Sequence, residues 1–174
     1  ATRMITITPL AVTLDAPDTA PAGSELAVTW DGPDYSRDYI AVSEVGERGN
    51  VNYAYTQQGN PAIVEMPAIP GTYELRYVLD QDREVVATRI VTVTPVSADF
   101  MAPDTARAGS TIDVGWAGPG YARDFVAISE IGESGYINYR YTNSGNPVQL
   151  EMPEAAGTYE IRYYLNQDRT VIGS

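Results

Sequence analysis

The sequence predicts an all-β chain, two tandem antiparallel β-sandwiches, and two observations carry that expectation. The first is an internal duplication. Ala16-Pro17-Asp18-Thr19-Ala20 returns 86 residues later as Ala102-Pro103-Asp104-Thr105-Ala106, Trp30 returns as Trp116, and Glu65-Met66-Pro67 returns as Glu151-Met152-Pro153. About 42 of 73 aligned positions are identical between residues 16–88 and 102–174, without an insertion. The second is the hydrophobic pattern. Short apolar and polar alternations with period two are separated by Gly, Pro, Asn and Asp, and no stretch competes with the 3.6-residue period of an amphipathic helix.

Taken in order, Leu26, Val28 and Trp30 are expected on one strand face, repeated by Ile112, Val114 and Trp116, and Gly32-Pro33 and Gly118-Pro119 end those strands. Tyr39-Ile40-Ala41-Val42 forms the next strand. Val51, Tyr53 and Tyr55 are expected to share a packed face, and Val64 and Met66 to point inward with Glu65 outward. After Pro70-Gly71, Tyr73, Leu75 and Tyr77 take one face while Glu74 and Arg76 take the other. Asp80-Gln81-Asp82-Arg83 closes a hairpin, and the last strand runs through Val91 and Val93. About seven strands in some 86 residues is the size of an immunoglobulin-like or fibronectin-like sandwich. Tyr73 falls at the tyrosine-corner position, and Leu75 stands where antibody domains carry a cysteine. The two tryptophans are expected in the core, so Trp30→Ala or Trp116→Ala is expected to cost about 3–5 kcal/mol.

The duplication also divides the chain. Residues 2–9 match 88–95 at the same offset, so residues 1–9 read as the final strand of a preceding repeat, 10–95 as repeat 1, and 96–174 as repeat 2 with its last strand cut short. The chain is expected to be an out-of-phase piece of something longer. Residues 2–9 then supply a spare half-strand, which suggests head-to-tail self-association by strand addition.

The 174 residues contain no Lys, His or Cys, and their 11 basic residues, all Arg, stand against 23 acidic ones for a formal charge of -12. Lysine Schiff bases, cysteine nucleophiles, histidine bases, disulfides and zinc sites built on His or Cys are excluded. The negative charge disfavours nucleic acid and anionic lipid as partners. No run of 18 apolar residues occurs, so no direct membrane insertion is expected.

The string of motifs formed by Ala-Pro-Asp-Thr-Ala, Trp30-x-Gly32-Pro33, Arg37-Asp38-Tyr39-Ile40-Ala41-Val42, Tyr53-x-Tyr55-Thr56 and Gly71-Thr72-Tyr73-Glu74-Leu75-Arg76-Tyr77 resembles a known kind of repeat. It is similar to the immunoglobulin-like repeats of long alphaproteobacterial proteins that carry a von Willebrand factor type A domain. The resemblance implies a module of a larger envelope-associated protein, periplasmic or extracellular. The Asp-x-Ser-x-Ser metal motif of the von Willebrand domain itself does not occur in this sequence.

Carboxylate pairs can do acid and base work without histidine, as in glycosidases. Asp38, Glu44 and Glu47 recur as Asp124, Glu130 and Glu133, but the expected reading is a non-catalytic spacer or interaction module without a cofactor, in which Asp38 and Arg37 anchor a loop or face solvent. The alternative is a ligand-binding adhesin module. Calcium would then draw on Asp82 and Asp168 in the hairpin loops, with Asp80, Asn166 and the domain-start residues Asp15, Asp18, Asp99 and Asp104 nearby. A glycan would draw on the loop tyrosines Tyr35 and Tyr121, with Tyr136. Arg76 and Arg162 are expected to form cross-strand ion pairs with Glu74 and Glu160, each worth at most about 1 kcal/mol if exposed.

Overall fold

The computed structural model describes residues 2–6 and 8–174. Two compact units divide at Thr94 and Pro95. Of the segment expected to be a spare strand, residues 2–6, 8 and 9 form no strand and are exposed, and Ala1 and Ile7 lie outside the described residues.

The first unit has eight strands: β1 (Thr13–Asp15), β2 (Thr19–Pro21), β3 (Glu25–Asp31), β4 (Tyr39–Glu44), β5 (Asn52–Tyr55), β6 (Ala62–Glu65), β7 (Gly71–Leu79) and β8 (Glu84–Thr94). They form a three-stranded sheet in the order β1-β3-β6 and a five-stranded sheet in the order β2-β8-β7-β4-β5. The second unit has β9 (Asp99–Met101), β10 (Thr111–Ala117), β11 (Phe125–Glu130), β12 (Asn138–Tyr141), β13 (Val148–Glu151), β14 (Tyr159–Tyr164) and β15 (Val171–Gly173). Its sheets run β13-β10-β9 and β12-β11-β14-β15. Both are immunoglobulin-like sandwiches, all-β among the described residues apart from one 3-10 turn in the first unit and two in the second. One ladder departs from the antiparallel expectation. β2 runs parallel to β8, because the chain leaves the first sheet after β1 and continues onto the edge of the second without reversing.

The core follows the alternation. Val28, Ile40, Val42, Val64, Met66, Leu75, Tyr77 and Val91 are fully buried between the sheets of the first unit, while Glu65 points outward. Val114, Val126, Leu150 and Tyr163 repeat this in the second. The Tyr73 hydroxyl donates to the Ile69 carbonyl at 2.9 Å, and Tyr159 donates to Ala155 at 3.0 Å, so both corners form and Leu75 packs where a disulfide could stand.

The tryptophans are less enclosed than the pattern implied. Trp30 and Trp116 are half-buried, each packing its ring against Tyr77 or Tyr163 with centroids 5.7 and 5.8 Å apart. Trp30 Nε1 donates to the Gly59 carbonyl at 3.4 Å, and Asn60 bonds the Trp30 backbone in both directions. A ring tied to a loop carbonyl at the rim cannot also sink between the sheets. The Trp-x-Gly motif has its own cause. A Cβ on Gly32 would lie 3.0 Å from Tyr77 Cε2, and one on Gly118 would lie 2.9 Å from Tyr163 Cε2, so glycine leaves the ring its place.

Candidate functional site

Asp38 and Asp124 are almost completely buried, and neither faces solvent. Asp38 Oδ2 accepts from the Tyr35 amide at 3.0 Å and the Tyr77 hydroxyl at 3.2 Å, while Oδ1 accepts from the Asp80 amide at 3.1 Å. Asp124 repeats the clamp with the Tyr121 amide, the Tyr163 hydroxyl and the Asn166 amide at 3.0, 2.9 and 2.9 Å. Each carboxylate therefore fastens the loop before its own strand to the hairpin after β7 or β14. Burial pushes the Asp124 carboxyl above its usual value, opposed by those three donors. Burial also pushes the Tyr77 hydroxyl up to about 12 and raises Tyr163.

Arg76 and Arg162 are buried rather than exposed, and they pair within their own strand. The Arg162 Nε atom lies 2.8 Å from Glu160 Oε2, and Arg76 bonds Glu74 in the same way. Their remaining donors reach the carbonyls of Glu44 and Gly49, or of Glu130 and Glu133, and fix the loop after β4 or β11. The alternation placed Arg and Glu on one face correctly. It could not show that a loop folds over that face.

The hairpin residues Asp82 and Asp168 lie exposed, and Asp168 adopts a positive φ of 52°. Asp80 stands near Arg37, with Nε to Oδ2 at 3.9 Å, while Asp15 and Asp18 face Arg89 at 3.8 and 2.9 Å. Among the described residues, no group of three His, Cys, Asp or Glu side chains is placed to hold a metal ion. Tyr35 is 59% exposed, and Tyr121 is half-buried.

A different set of tyrosines forms the main exposed aromatic surface. Ile40 and Ala54 are paired across β4 and β5 and point inward, so their neighbours Tyr39, Tyr53 and Tyr55 point outward together. Tyr53 is 54% exposed, its ring 5.3 Å from Tyr39 and 5.4 Å from Tyr55. The expectation of a packed Val51, Tyr53 and Tyr55 face is thus reversed, because the small Ala54 fills the inner position on this edge strand. A hydrogen bond with the neighbouring Tyr55 hydroxyl raises the Tyr53 phenol above its ordinary value.

The second unit enlarges this face. Phe125 stacks on Tyr164 with ring centres 4.8 Å apart and 7° between planes, and Tyr136, Tyr139 and Tyr141 stand edge-on around Phe125. Tyr139 and Tyr141 remain exposed beside a shallow hollow of about 340 Å³ that also takes in Arg140 and Ser144. Val78 and Asn50 of the first repeat are replaced here by Tyr164 and Tyr136, and Tyr39 and Ala54 by Phe125 and Arg140.

No family model matches the chain, and no curated protein matches it. Among solved structures, the BSP domain of a biofilm-associated protein aligns over 94% of this chain and 28% of its own, with 9% identity and a TM-score of 0.39. A marsupial T cell receptor aligns over 94% of this chain and 70% of its own, with 10% identity and a TM-score of 0.34. The immunoglobulin-like assignment rests on the strand order and the tyrosine corners above.

Proposed function

We propose that the chain is a run of immunoglobulin-like repeats acting as a non-catalytic spacer and interaction module in a larger bacterial envelope-associated protein, periplasmic or extracellular, of the kind that carries a von Willebrand factor type A domain. The observation that supports the reading best is the use made of the buried acids. Asp38 and Asp124 spend their acceptors on two backbone amides and a tyrosine hydroxyl of their own unit, in the same way in both repeats. A carboxylate so held positions loops rather than moving protons. The location follows from the repeat resemblance, and the high negative charge suits an array that stays extended and soluble.

A second reading is favoured by Tyr139 and Tyr141, whose exposed rings flank a polar-edged hollow suited to the face of a sugar ring. Retention of the 174-residue chain on immobilised envelope polysaccharide tests both readings. Loss of retention in Tyr139→Ala with Tyr141→Ala would place a glycan on the sheet face, and loss in Tyr35→Ala with Tyr121→Ala would place it on the loops. An unretained wild type leaves the spacer alone. Hydrolysis of the polysaccharide, abolished by Glu44→Gln with Glu130→Gln, would overturn the non-catalytic reading.

A further inference from the structure

The two units carry different charge beside their aromatic faces. In the first, the loop before β4 and the hairpin after β7 meet at one end of the sandwich, where Asp38 bonds both, and in the second the corresponding loop and hairpin meet at Asp124. At that end the first unit carries Asp31, Asp34, Asp80 and Glu84, whose counterparts in the second are Ala117, Gly120, Asn166 and Thr170. The arginines are kept. Arg37 and Arg83 recur as Arg123 and Arg169, and Arg140 is added in place of Ala54. Arg37 stands 3.9 Å from Asp80, but among the described residues no carboxylate lies within ion-pair distance of the exposed Arg123, Arg140 and Arg169. Arg123 and Arg169 have φ of 70° and 51°, a left-handed backbone that residues other than Gly, Asn and Asp seldom adopt.

These charges border the aromatic row, in which Phe125 pairs with Tyr141 on one side and Tyr164 on the other. A hydrogen bond with Tyr141 raises the Tyr139 phenol and the Arg169 charge opposes that rise, so the guanidinium stands within electrostatic reach of the ring. Arg140 lines the hollow itself, where its Nη1 donates to the Tyr139 carbonyl at 2.9 Å. Ser144 stands where Gln58 accepts from the Tyr55 amide in the first unit, and the shorter side chain leaves the edge of β12 open.

We propose that this hollow takes a uronate residue of an acidic polysaccharide, an inference that rests on the glycan reading of Tyr139 and Tyr141. A pyranose ring presents C–H bonds on its face and a uronate carries its carboxylate at the rim. The Tyr139 and Tyr141 rings meet the face, the planar Arg140 guanidinium takes the carboxylate, and Arg123 and Arg169 meet the neighbouring uronates of the chain. The formal charge of -12 opposes a polyanion at long range only, because about 0.15 M salt screens charges beyond about 8 Å, and at contact the arginines decide. The first unit, with its acidic loop end and Ala54 in place of Arg140, takes no such sugar.

Calorimetric titration of the 174-residue chain with oligogalacturonate and oligomannuronate, each against its carboxyl-reduced form, tests this in chelator at about 0.15 M salt. At least one oligouronate is expected to bind at a single site per chain, and its carboxyl-reduced form at least about tenfold more weakly. Arg140→Gln with Arg169→Gln is expected to weaken binding of the acid form by at least about tenfold while leaving the melting temperature unchanged, since both side chains are exposed. Arg37→Gln with Arg83→Gln, in the first unit, is expected to change neither. A reduced oligomer that binds as tightly as the acid, or an Arg140 and Arg169 variant that binds as the wild type does, would overturn the proposal and leave the glycan reading standing. Two equal sites per chain would overturn the assignment to the second unit. A wild type that binds none of the four oligomers would overturn both the proposal and the glycan reading.

Discussion

The Tyr163 hydroxyl donates to Asp124 Oδ2 at 2.9 Å, which ties the end of a central strand to the loop that enters the neighbouring one. The Gly120 amide donates in turn to the Tyr163 oxygen at 2.7 Å. Tyr77, Asp38 and the Asp34 amide form the same chain in the first unit. An inward tyrosine with a satisfied hydroxyl is what lets a buried carboxylate persist in so small a sandwich.

Removing the carboxylate should therefore cost more than removing its tyrosine partner. Asp124→Ala strands three donors and is expected to lower the stability of the second unit by about 3 kcal/mol or more, against about 1–2 kcal/mol for Tyr163→Phe. Urea denaturation of each variant measures the difference, and equal losses would mean that the clamp contributes little.

Gly118→Ala is expected to destabilise by about 1–3 kcal/mol, because its new methyl meets both the Tyr163 ring and the Ala98 Cβ. Gly135 has nothing within 4 Å of an added Cβ, so Gly135→Ala should leave the melting temperature nearly unchanged. The pair separates steric crowding from a general effect of substituting glycine.

The alkaline limb of stability is set in part by Tyr77. Its folded hydroxyl is raised to about 12 from an ordinary 10.0, so the folded state holds its proton more tightly than the unfolded state. That contribution is complete below pH 10 and is lost as pH rises toward 12. Tyr77→Phe should flatten the decline between those values in a pH series of denaturation midpoints. Asp124 has the same sign on the acid side. Its carboxyl is raised by burial, so its ionisation lowers the stability of the second unit as pH rises through that raised value.

Calcium should not stiffen the hairpins. Asp82 and Asp168 stand exposed on their turns, while Asp80 is engaged by Arg37 through its carboxylate. Melting curves in millimolar calcium and in chelator are expected to superimpose. A calcium-dependent rise of several degrees, abolished by Asp82→Ala with Asp168→Ala, would restore these residues as ligands.

Much of the frame is legible in the sequence, because period-two alternation directly reports which side of a sheet a residue faces. Leu26 with Val28, Val64 with Met66, and Tyr73 with Leu75 and Tyr77 all lie inward. Where alternation misled, a second layer was responsible. Tyr53 and Tyr55 form an outer aromatic cluster that looks like a core face in one dimension, and Ala54 carries the true inner position. Arg76 was legible as outward but not as covered, since the loop carbonyls that cover it are distant in sequence. Trp30 lies on the expected face yet at its rim, so Trp30→Ala should cost about 2–3 kcal/mol rather than the upper range for a fully enclosed ring. The Asp38 clamp left no periodic trace at all, because its three donors come from loops and a strand that only the fold brings together.

Hydrogen exchange of the dilute chain, read at residues 71–72 and 157–158, tests most directly the difference in strand pairing between the two sandwiches, where β8 pairs with the start of β7 and no strand pairs with residues 157–158. Gly71 and Thr72 pair only with β8, whereas Gly157 and Thr158 have no strand beside them. Protection is expected at the first pair and near-absence of protection at the second. Equal protection at both pairs in the dilute chain would contradict the account.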